Sequence, residues 1–415
     1  MHANRSVGRG SFAVFAAQDD TPYTSRALIS TGIKPAARNA LLGFSDIVKI
    51  RNRVLDMKAA GQHVYELQGG EPFMPTPSFV KRAMIDALDH NHTRYAPSSG
   101  IAPLLGALRE KLARKNAIEV DAKKIIVCSG GQHALFCAFQ ASVNPGDGVM
   151  LFSPFWTPIR DHINYSGGVA QRIPWDDARG VDDLTPVLHA HHTDATRVIY
   201  VNTPSNPTGD VLSRKAIESI ARFAARHNLI VISDEAYEDL VYDGEHVSIA
   251  SLPEMFLRTI SCFTLSKSFA MTGWRIGYVV ADEPFMEFLR KMVLFSVNGI
   301  STPTQYAAVG AMNAPPDYFA PIREEYRKRR DMLARALNEA GFRCLTPPGA
   351  FYLFPDVRER LGNDSWKAME TLLARTQIAS VPGAVFGPEG EGHLRVSFST
   401  SLDVLEQAVD ALKKL

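Results

Sequence analysis

Residues 264–278 read TLSKSFAMTGWRIGY and follow an apolar, β-branched run at residues 259–263. That run predicts a short buried strand, so Lys267 would lie just beyond its end, among residues too small to shield it. Desolvation lowers the pKa of such a lysine and leaves a neutral amine that can condense with an aldehyde. Arg275 follows in the same stretch, and its planar guanidinium suits a phosphate. Because single Ser-Lys pairs also occur on ordinary surfaces, the rest of the chain decides what this one means.

The composition is that of an ordinary globular protein. The chain has 415 residues, of which 46% are hydrophobic and 21% charged, and its formal net charge is +1. This length allows two or three domains, or one large α/β unit with a smaller companion. The near-zero charge gives no reason to expect nucleic acid or an acidic membrane surface as a partner. No apolar run approaches the length of a membrane span.

The four cysteines lie in apolar segments without CxxC spacing: Cys128, Cys137, Cys262 and Cys344. This pattern is typical of reduced, buried thiols, so we expect a cytoplasmic protein. A second location stays open, because residues 1–17 contain Arg5 and Arg9 but no acid, as organelle transit peptides do. We expect residues 1–32 to be a disordered leader outside the fold.

The middle of the chain alternates between apolar runs and amphipathic stretches. The patterns predict strands at residues 124–128, 149–152, 197–201, 229–232, 259–263 and 276–281, and helices at residues 132–142 and 214–227. Strands that alternate with helices are typical of βαβ units and a mainly parallel sheet. Asn206, Asp234, Tyr237 and Lys267 follow the ends of three of these strands. Open α/β sheets bind their ligands at that edge.

The rest of the chain predicts further helices and a smaller α+β domain. Helices are expected at residues 36–60, 77–89, 103–115, 304–313, 318–340, 365–375 and 402–414, with strands at residues 64–67, 351–354, 378–381 and 394–398. We therefore expect an α/β fold class with a large domain at residues 73–322, whose mainly parallel sheet is flanked by helices. The smaller α+β domain would combine residues 33–72 with residues 323–415.

A glycine-rich turn, Ser129-Gly130-Gly131, joins the strand at residues 124–128 to the following helix. Glycines let the backbone approach a ligand closely, and free N–H groups at a helix start favour an anion. An ordinary strand-to-helix turn explains these residues equally well. The turn alone therefore leaves a phosphate site open.

Taken together, these features suit one ligand, pyridoxal 5′-phosphate (PLP). Its aldehyde binds a lysine, its ring nitrogen pairs with an acidic residue, and its phosphate needs an anion site. Four segments resemble, in order, the motifs of the class I/II aminotransferases: NTPSNPTG (202–209), SDEAYEDL (233–240), SKSFAMTGWRIGY (266–278) and LRVSFS (394–399). The chain thus resembles the aspartate- and aromatic-type members of this fold-type I family from about residue 33 onward. One motif could match by chance, but four in register are specific.

The resemblance implies a cofactor site. Lys267 would bind PLP covalently and then move a proton between the substrate Cα and the cofactor, and Asp234 would pair with the ring nitrogen. Asn206 and Tyr237 would donate to the ring oxygen O3′, which makes Lys267, Asp234 and Tyr237 the catalytic set. The other implied cofactor contacts are Trp156 against the ring and, for the phosphate, Arg275, Gly131, Gln132, Thr264 and Tyr95.

The resemblance also implies substrate contacts and a partner. Arg395 would bind the substrate α-carboxylate, with Gly70, Trp156 and Asn206 assisting. Tyr95 would reach the phosphate of a neighbouring subunit, which implies a homodimer with shared active sites. No metal is expected, because pairs such as His191-His192 lack further spaced ligands.

The substrate side-chain site departs from the dicarboxylate-specific members of the family, in which a partner arginine binds the distal carboxylate. The corresponding segment, residues 292–305, reads MVLFSVNGISTPTQ and has no arginine. Asn298, Ser301 and Gln140 are the candidates left. We expect a ping-pong transfer of the amino group of an L-amino acid to a 2-oxo acid such as 2-oxoglutarate. Aspartate is the favoured donor, with aromatic or broad specificity left open.

Two other functions fit part of the same pattern. A PLP-dependent lyase or cyclase, of the C–S lyase or aminocyclopropane-carboxylate synthase type, would use the same scaffold but would not release an oxo acid with pyridoxamine phosphate. A ligand-sensing module of a transcription regulator would carry a DNA-binding domain in front, and the segment before residue 33 is too short to form one.

Overall fold

A computed structural model describes the chain over residues 36–415. The expected leader at residues 1–32 lies outside this range. Residues 36–41 contain one 3₁₀ turn, Ala37–Leu41, and residues 42–415 form one compact unit. The division of that unit into a large domain at residues 73–322 and a smaller one remains a prediction.

The strands follow most of the predicted apolar runs. They are β1 (Tyr65–Glu66), β2 (Ile125–Cys128), β3 (Gly148–Ser153), β4 (Val169–Pro174), β5 (Thr196–Asn202), β6 (Ile230–Asp234), β7 (Thr259–Thr264), β8 (Gly277–Val280), β9 (Tyr352–Leu353), β10 (Ile378–Ala379), β11 (Val381–Pro382) and β12 (Leu394–Ser397).

The helices surround these strands. They are α1 (Asp46–Ala59), α2 (Ser78–Asp89), α3 (Ala102–Lys111), α4 (Gly130–Ser142), α5 (Pro158–Tyr165), α6 (Trp175–Ala178), α7 (Thr185–His191), α8 (Arg214–Arg226), α9 (Phe285–Val297), α10 (Thr302–Met312), α11 (Phe319–Glu339), α12 (Arg358–Leu361), α13 (Ser365–Thr376) and α14 (Leu402–Leu412).

The main sheet has seven strands in the order β2-β8-β7-β6-β5-β3-β4. β8 runs antiparallel to both of its neighbours, and the other neighbouring pairs are parallel. The predicted α/β class with a mainly parallel sheet is therefore confirmed. The register sets Asn202 opposite Asp234 and Asp234 opposite Cys262. The polar ends of β5, β6 and β7 consequently lie side by side at one edge.

Both faces of this sheet are buried. Along β5, Val198 and Tyr200 belong to one core with Phe139 of α4, while Ile199 belongs to another with Ile217 of α8. Successive strand side chains point to opposite faces, so a strand covered by helices on both sides is apolar throughout. This is why the runs were recognisable in the sequence.

A further core lies beside the polar edge of the sheet. Two small sheets belong to this part of the chain: β1 pairs with β10, and β9, β12 and β11 form an antiparallel sheet. Tyr326 of α11 and Tyr352 of β9 pack in the same hydrophobic cluster as Tyr237 and Leu240, which follow β6. This contact brings the C-terminal segments against the carboxyl ends of the main strands.

The structure differs from the expected elements in several places. The single helix expected at residues 36–60 is wrong, because Gly43, a poor helix former, lies in a break between the 3₁₀ turn and α1. The strand expected at residues 378–381 divides at Ser380 into β10 and β11, which pair with different partners. β4, α5, α6, α7, α9 and α12 were not predicted. β4 alternates poorly because it is a partly exposed edge strand.

Candidate active site

A cavity of about 1060 Å³ opens where β5, β6 and β7 end. All of the residues predicted to contact the cofactor or the substrate α-carboxylate, except Tyr95, line it: Gly70, Gly131, Gln132, Trp156, Asn206, Asp234, Tyr237, Thr264, Lys267, Arg275 and Arg395. The fold thus gathers side chains from distant parts of the sequence at the carboxyl edge of a parallel sheet, where such folds bind ligands.

Lys267 lies just beyond the end of β7 with its amine inside the cavity. Its Nζ donates a hydrogen bond to the carbonyl oxygen of Gly70 at 2.7 Å. Burial lowers the pKa of this amine to about 8; the Glu71 carboxylate opposes that shift, and Arg395 adds to it. A substantial share of the amine is therefore neutral near physiological pH, which is the nucleophilic form.

Asp234, the last residue of β6, is 6% exposed. Its Oδ2 accepts a hydrogen bond from the Tyr200 hydroxyl at 2.8 Å, and its Oδ1 accepts one from the Ala236 N–H at 3.2 Å. Burial raises the pKa of Asp234 to about 6, and these two hydrogen bonds oppose the rise. The carboxylate therefore remains mostly ionised at neutral pH and can pair with a protonated ring nitrogen.

Tyr237 provides a second hydroxyl in the cavity. Its oxygen lies 2.9 Å from the hydroxyl oxygen of Tyr352. Burial raises the pKa of Tyr237 well above the usual value for a tyrosine. The phenol therefore stays protonated and can donate a hydrogen bond to an anionic ring oxygen.

Arg275 lies between β7 and β8, and its side chain reaches the start of α4. Its Nη2 donates to the Ser129 carbonyl oxygen at 3.4 Å. Gly130 has a φ of 79°, and a Cβ there would lie 2.6 Å from the same Nη2. A Cβ at Gly131 would lie 3.2 Å from the Cβ of Thr264, so this turn has little room for side chains. A guanidinium beside the free N–H groups of a helix start suits a phosphate.

Arg395, on β12, is a buried cation with 2% exposure. Its Nη1 donates to Asn206 Oδ1 at 3.0 Å and its Nη2 to the Gln68 carbonyl oxygen at 2.8 Å. The guanidinium carbon lies 4.4 Å from the ring centre of Tyr352 and 4.9 Å from that of Phe386. Its Nε has no hydrogen-bond partner among the described residues. A desolvated cation with an unused donor suits a carboxylate ligand.

This donor set fits PLP. The Lys267 amine suits the aldehyde, the Asp234 carboxylate suits the ring nitrogen, and the anion site at Arg275 suits the phosphate. Each of these groups lines the same cavity. The remaining buried cation, Arg395, is free for a substrate carboxylate.

Tyr95 lies elsewhere and is 94% exposed. It lines a second cavity of about 530 Å³ together with Asn298 and Ser301. Gln140 lies outside both cavities and donates from Nε2 to Ser166 Oγ at 2.7 Å. Within one chain, Tyr95 and the three candidates for the substrate side-chain site therefore lie outside the cavity around Lys267.

Among residues 36–415, one group offers three possible metal ligands, namely Glu235, Glu238 and His246, whose ligand atoms lie within 4.8 Å of one another. Lys111 and Asn116 already donate to Glu238 at 2.5 Å and 2.8 Å. His246 Nε2 lies 2.8 Å from Glu235 Oε2. These contacts balance the acidic charge internally and form a buried ionic network beside β6.

Comparison with known proteins decides the family. The family model for aminotransferase class I and II matches residues 62–412. The chain belongs to this family. Among its relatives, the aspartate aminotransferase of Pyrococcus abyssi is 37% identical over 367 residues, which cover 88% of this chain and 94% of that protein.

Two further comparisons agree with this assignment. The aromatic-amino-acid aminotransferase 2 of Thermococcus litoralis is 35% identical over 370 residues, covering 88% of this chain and 94% of that protein. The solved structure of Thermus thermophilus aspartate aminotransferase with maleate matches with a TM-score of 0.87 and 33% identity. That match covers 92% of this chain and 100% of the other.

The protein is a PLP-dependent aminotransferase, which confirms the predicted enzyme class and cofactor. The lyase or cyclase alternative is not favoured by these relatives.

Within residues 36–415, no helix combines the length and apolar character needed to cross a membrane.

Tyr200 was missed by sequence reasoning, and its contact with Asp234 leads to a prediction for this aminotransferase. Replacing Tyr200 with Phe removes a hydrogen bond that favours the ionised carboxylate, so the pKa of Asp234 should rise further. A carboxylate with a raised pKa loses its charge at a higher pH. As the pH is lowered, PLP affinity should therefore begin to fall at a higher pH in the variant than in the wild type, by up to about one unit. Dissociation constants for PLP measured at a series of pH values test this.

Tyr278→Phe is the matched control. The Tyr278 hydroxyl is also buried in the main sheet, but it has no hydrogen-bond partner among the described residues. Removing it should leave unchanged the pH at which PLP affinity begins to fall. Equal shifts in the two variants, or no shift in Tyr200→Phe, would show that the Tyr200 hydroxyl does not tune Asp234.

Proposed function

We propose that this aminotransferase transfers the amino group of an acidic L-amino acid, with aspartate preferred, to a 2-oxo acid such as 2-oxoglutarate by a ping-pong cycle. One observation carries the proposal: Arg395, a buried cation with an unused donor, shares a cavity with Lys267 and Asp234. The names of the relatives support aspartate as donor, because several of them are aspartate aminotransferases. The Thermus relative solved with maleate is in accord with a dicarboxylate substrate.

In this proposal, Lys267 has two tasks. Its amine, already partly neutral, binds the cofactor and later takes the proton from the substrate Cα. PLP, when bound, supplies a ring that draws electrons away from that carbon. The pKa of about 8 supports both tasks, because an amine with this pKa exchanges protons readily near neutral pH.

Asp234, Tyr237 and Asn206 orient and polarise the ring. Asp234 keeps the ring nitrogen protonated, and its ionised form at neutral pH supports that task. Tyr237 and Asn206 donate to the ring oxygen O3′. Trp156, which also lines the cavity, packs against the ring face.

The phosphate is held at the start of α4. Arg275 binds it with the guanidinium, and the main-chain N–H groups of Gly131 and Gln132 and the Thr264 hydroxyl complete the site. The close approach of the Gly130 backbone to the Arg275 guanidinium supports this arrangement. Phosphates bind in the same way at the helix starts of other nucleotide and cofactor sites.

The substrate α-carboxylate binds Arg395. The guanidinium is held by Asn206 and by the Gln68 carbonyl oxygen, so it is already oriented before the substrate arrives. The main chain of Gly70, whose carbonyl oxygen accepts the Lys267 hydrogen bond, also contacts the substrate.

We further propose a cytoplasmic homodimer in which Tyr95 binds the phosphate of the partner subunit. The exposure of Tyr95 supports this, because nothing in residues 36–415 of its own chain covers the ring. Nearby on α9, Phe295 is 86% exposed, and Leu294 and Phe288 are exposed too. Clustered exposed apolar side chains are typical of protein interfaces. The four free cysteines, all buried, support the cytoplasm as location.

A donor panel tests the substrate assignment. The PLP-loaded protein is assayed with 2-oxoglutarate and with aspartate, tyrosine, phenylalanine, alanine and leucine as donors. We expect aspartate to have the highest kcat/KM, with an oxo acid formed in step with glutamate. Activity confined to the aromatic donors would instead favour the specificity in the name of the Thermococcus relative. Activity confined to alanine and leucine would contradict the proposal.

A further inference from the structure

Helix α1 forms one wall of the cavity. Four of its side chains line the cavity: Ile47, Val48, Arg51 and Leu55. Other positions anchor the helix, because Ile50 packs with Phe386 in one small core and Val54 packs with Leu373 in another. The buried and cavity-facing positions alternate at helical spacing. The direction in which Arg51 faces is therefore fixed by the packing of α1.

Arg51 is the unpaired cation of this helix. Three other basic side chains of α1 are paired with acids: Lys49 with Asp46, Arg53 with Glu370 and Lys58 with Glu66. Arg51 has no salt-bridge or hydrogen-bond partner among residues 36–415, and it is the basic residue of α1 that lines the cavity. A guanidinium in this position is available to an anionic ligand.

The cavity therefore offers cations on two separate elements. Arg395 on β12 is buried and already oriented by Asn206, whereas Arg51 stands on α1 among three apolar side chains. We propose that Arg51 binds the distal carboxylate of the substrate and so selects dicarboxylic amino acids and oxo acids. Arg51, Val48 and Leu55 are all exposed, so a carboxylate can reach the guanidinium from solvent, and charge-assisted hydrogen bonds would carry the contact.

The surroundings of Arg51 favour an acidic side chain over an aromatic one. Two glutamates also line the cavity: Glu66 is paired with Lys58, and the Glu71 carboxylate acts electrostatically on the Lys267 amine. An aromatic substrate would leave the Arg51 guanidinium without a charged partner, whereas a distal carboxylate would accept two parallel hydrogen bonds from it. The same contact would operate in both halves of the cycle, for an acidic donor and for an acidic oxo acid.

This inference rests on the proposed function, since it assigns the α-carboxylate to Arg395. Binding of unreactive acids separates the two. Succinate has two carboxylates, and butyrate has one on a chain of the same length. Their dissociation constants are measured by calorimetry on the PLP-loaded protein, for wild type and for Arg51→Met, Arg51→Lys and Arg53→Met.

Arg51→Met should weaken succinate binding roughly threefold to fivefold, the usual effect of losing an exposed ion pair. Butyrate binding should change little. Arg51→Lys should fall between wild type and Arg51→Met, because it keeps the charge but not the planar pair of donors. Arg53→Met, which breaks an exposed ion pair on the same helix, should bind both acids as wild type does.

Unchanged succinate binding in Arg51→Met, or an equal loss for succinate and butyrate, would overturn the inference. A matched loss in Arg53→Met would also overturn it, because the effect would then come from α1 as a whole. Failure of the proposed function has a different signature. In that case the wild-type protein would convert none of the acidic donors, whether or not succinate binding depends on Arg51.

Discussion

Lys267→Ala should abolish transamination, with a fall in turnover of roughly 10⁴-fold or more, because it removes both the covalent anchor and the proton-transferring base. PLP should still bind, since Arg275, Asp234 and the start of α4 are untouched. The bound cofactor should lack the absorption band of a lysine Schiff base. Stopped-flow kinetics and visible spectra of the reconstituted variant measure both effects.

Lys267→Arg provides the control for charge. It keeps a cation that can donate to the Gly70 carbonyl oxygen, but a guanidinium stays protonated and is a poor nucleophile. We expect it to be as inactive as Lys267→Ala. If either variant kept turnover near the wild-type rate, Lys267 could not be the group that moves the proton.

Arg395→Ala should lower kcat/KM by roughly 10²-fold to 10⁴-fold for every donor and acceptor, because the α-carboxylate is common to all of them. The loss should appear mainly in KM. Affinity for PLP should change much less than KM, since Arg395 lies apart from the phosphate site at Arg275 and α4 and affects the ring only through Asn206. Steady-state kinetics with aspartate and 2-oxoglutarate, alongside a PLP titration, measure these quantities.

Two further measurements separate a substrate role of Arg395 from a structural one. The substitution also leaves Asn206 Oδ1 and the Gln68 carbonyl oxygen without their donor, so a thermal melt must show that the variant is folded. Arg395→Lys keeps the positive charge but not the planar pair of donors, and it should recover part of the lost kcat/KM. Equal affinity for substrate in wild type and Arg395→Ala would rule out this carboxylate site.

Much of the fold was predictable because its local patterns are strong. β5, β6 and β7 are buried on both faces, so they stand out as apolar runs that end in polar residues. Asp234 and Lys267 were recognised at those ends, and a parallel sheet brings such ends together. The structure places both in one cavity.

The elements that were missed have weaker or longer-range signals. The edge strand β4 is half polar, and the break before α1 depends on one glycine in an otherwise helical pattern. The bond between Arg395 and Asn206 joins residues 189 positions apart, so no local pattern reveals it. Tyr200 looked like one more apolar residue of β5, although its hydroxyl bonds to Asp234.

Arg51 illustrates the same limit for specificity. In the sequence it is one basic residue in an amphipathic helix that carries several, and nothing local distinguishes it from Arg53. Only the tertiary fold shows that Arg53 meets Glu370 while Arg51 lines the cavity. Substrate selection therefore had to be inferred from packing, whereas the reaction class followed from motifs.

Borohydride reduction of the PLP-loaded protein, followed by proteolysis and mass spectrometry, tests the central assignment most directly. Reduction converts a lysine Schiff base into a stable pyridoxyl amine on the residue that formed it. We predict a single labelled peptide, with the pyridoxyl group on Lys267. A label on another lysine, or no label in protein that has bound PLP, would contradict this assignment.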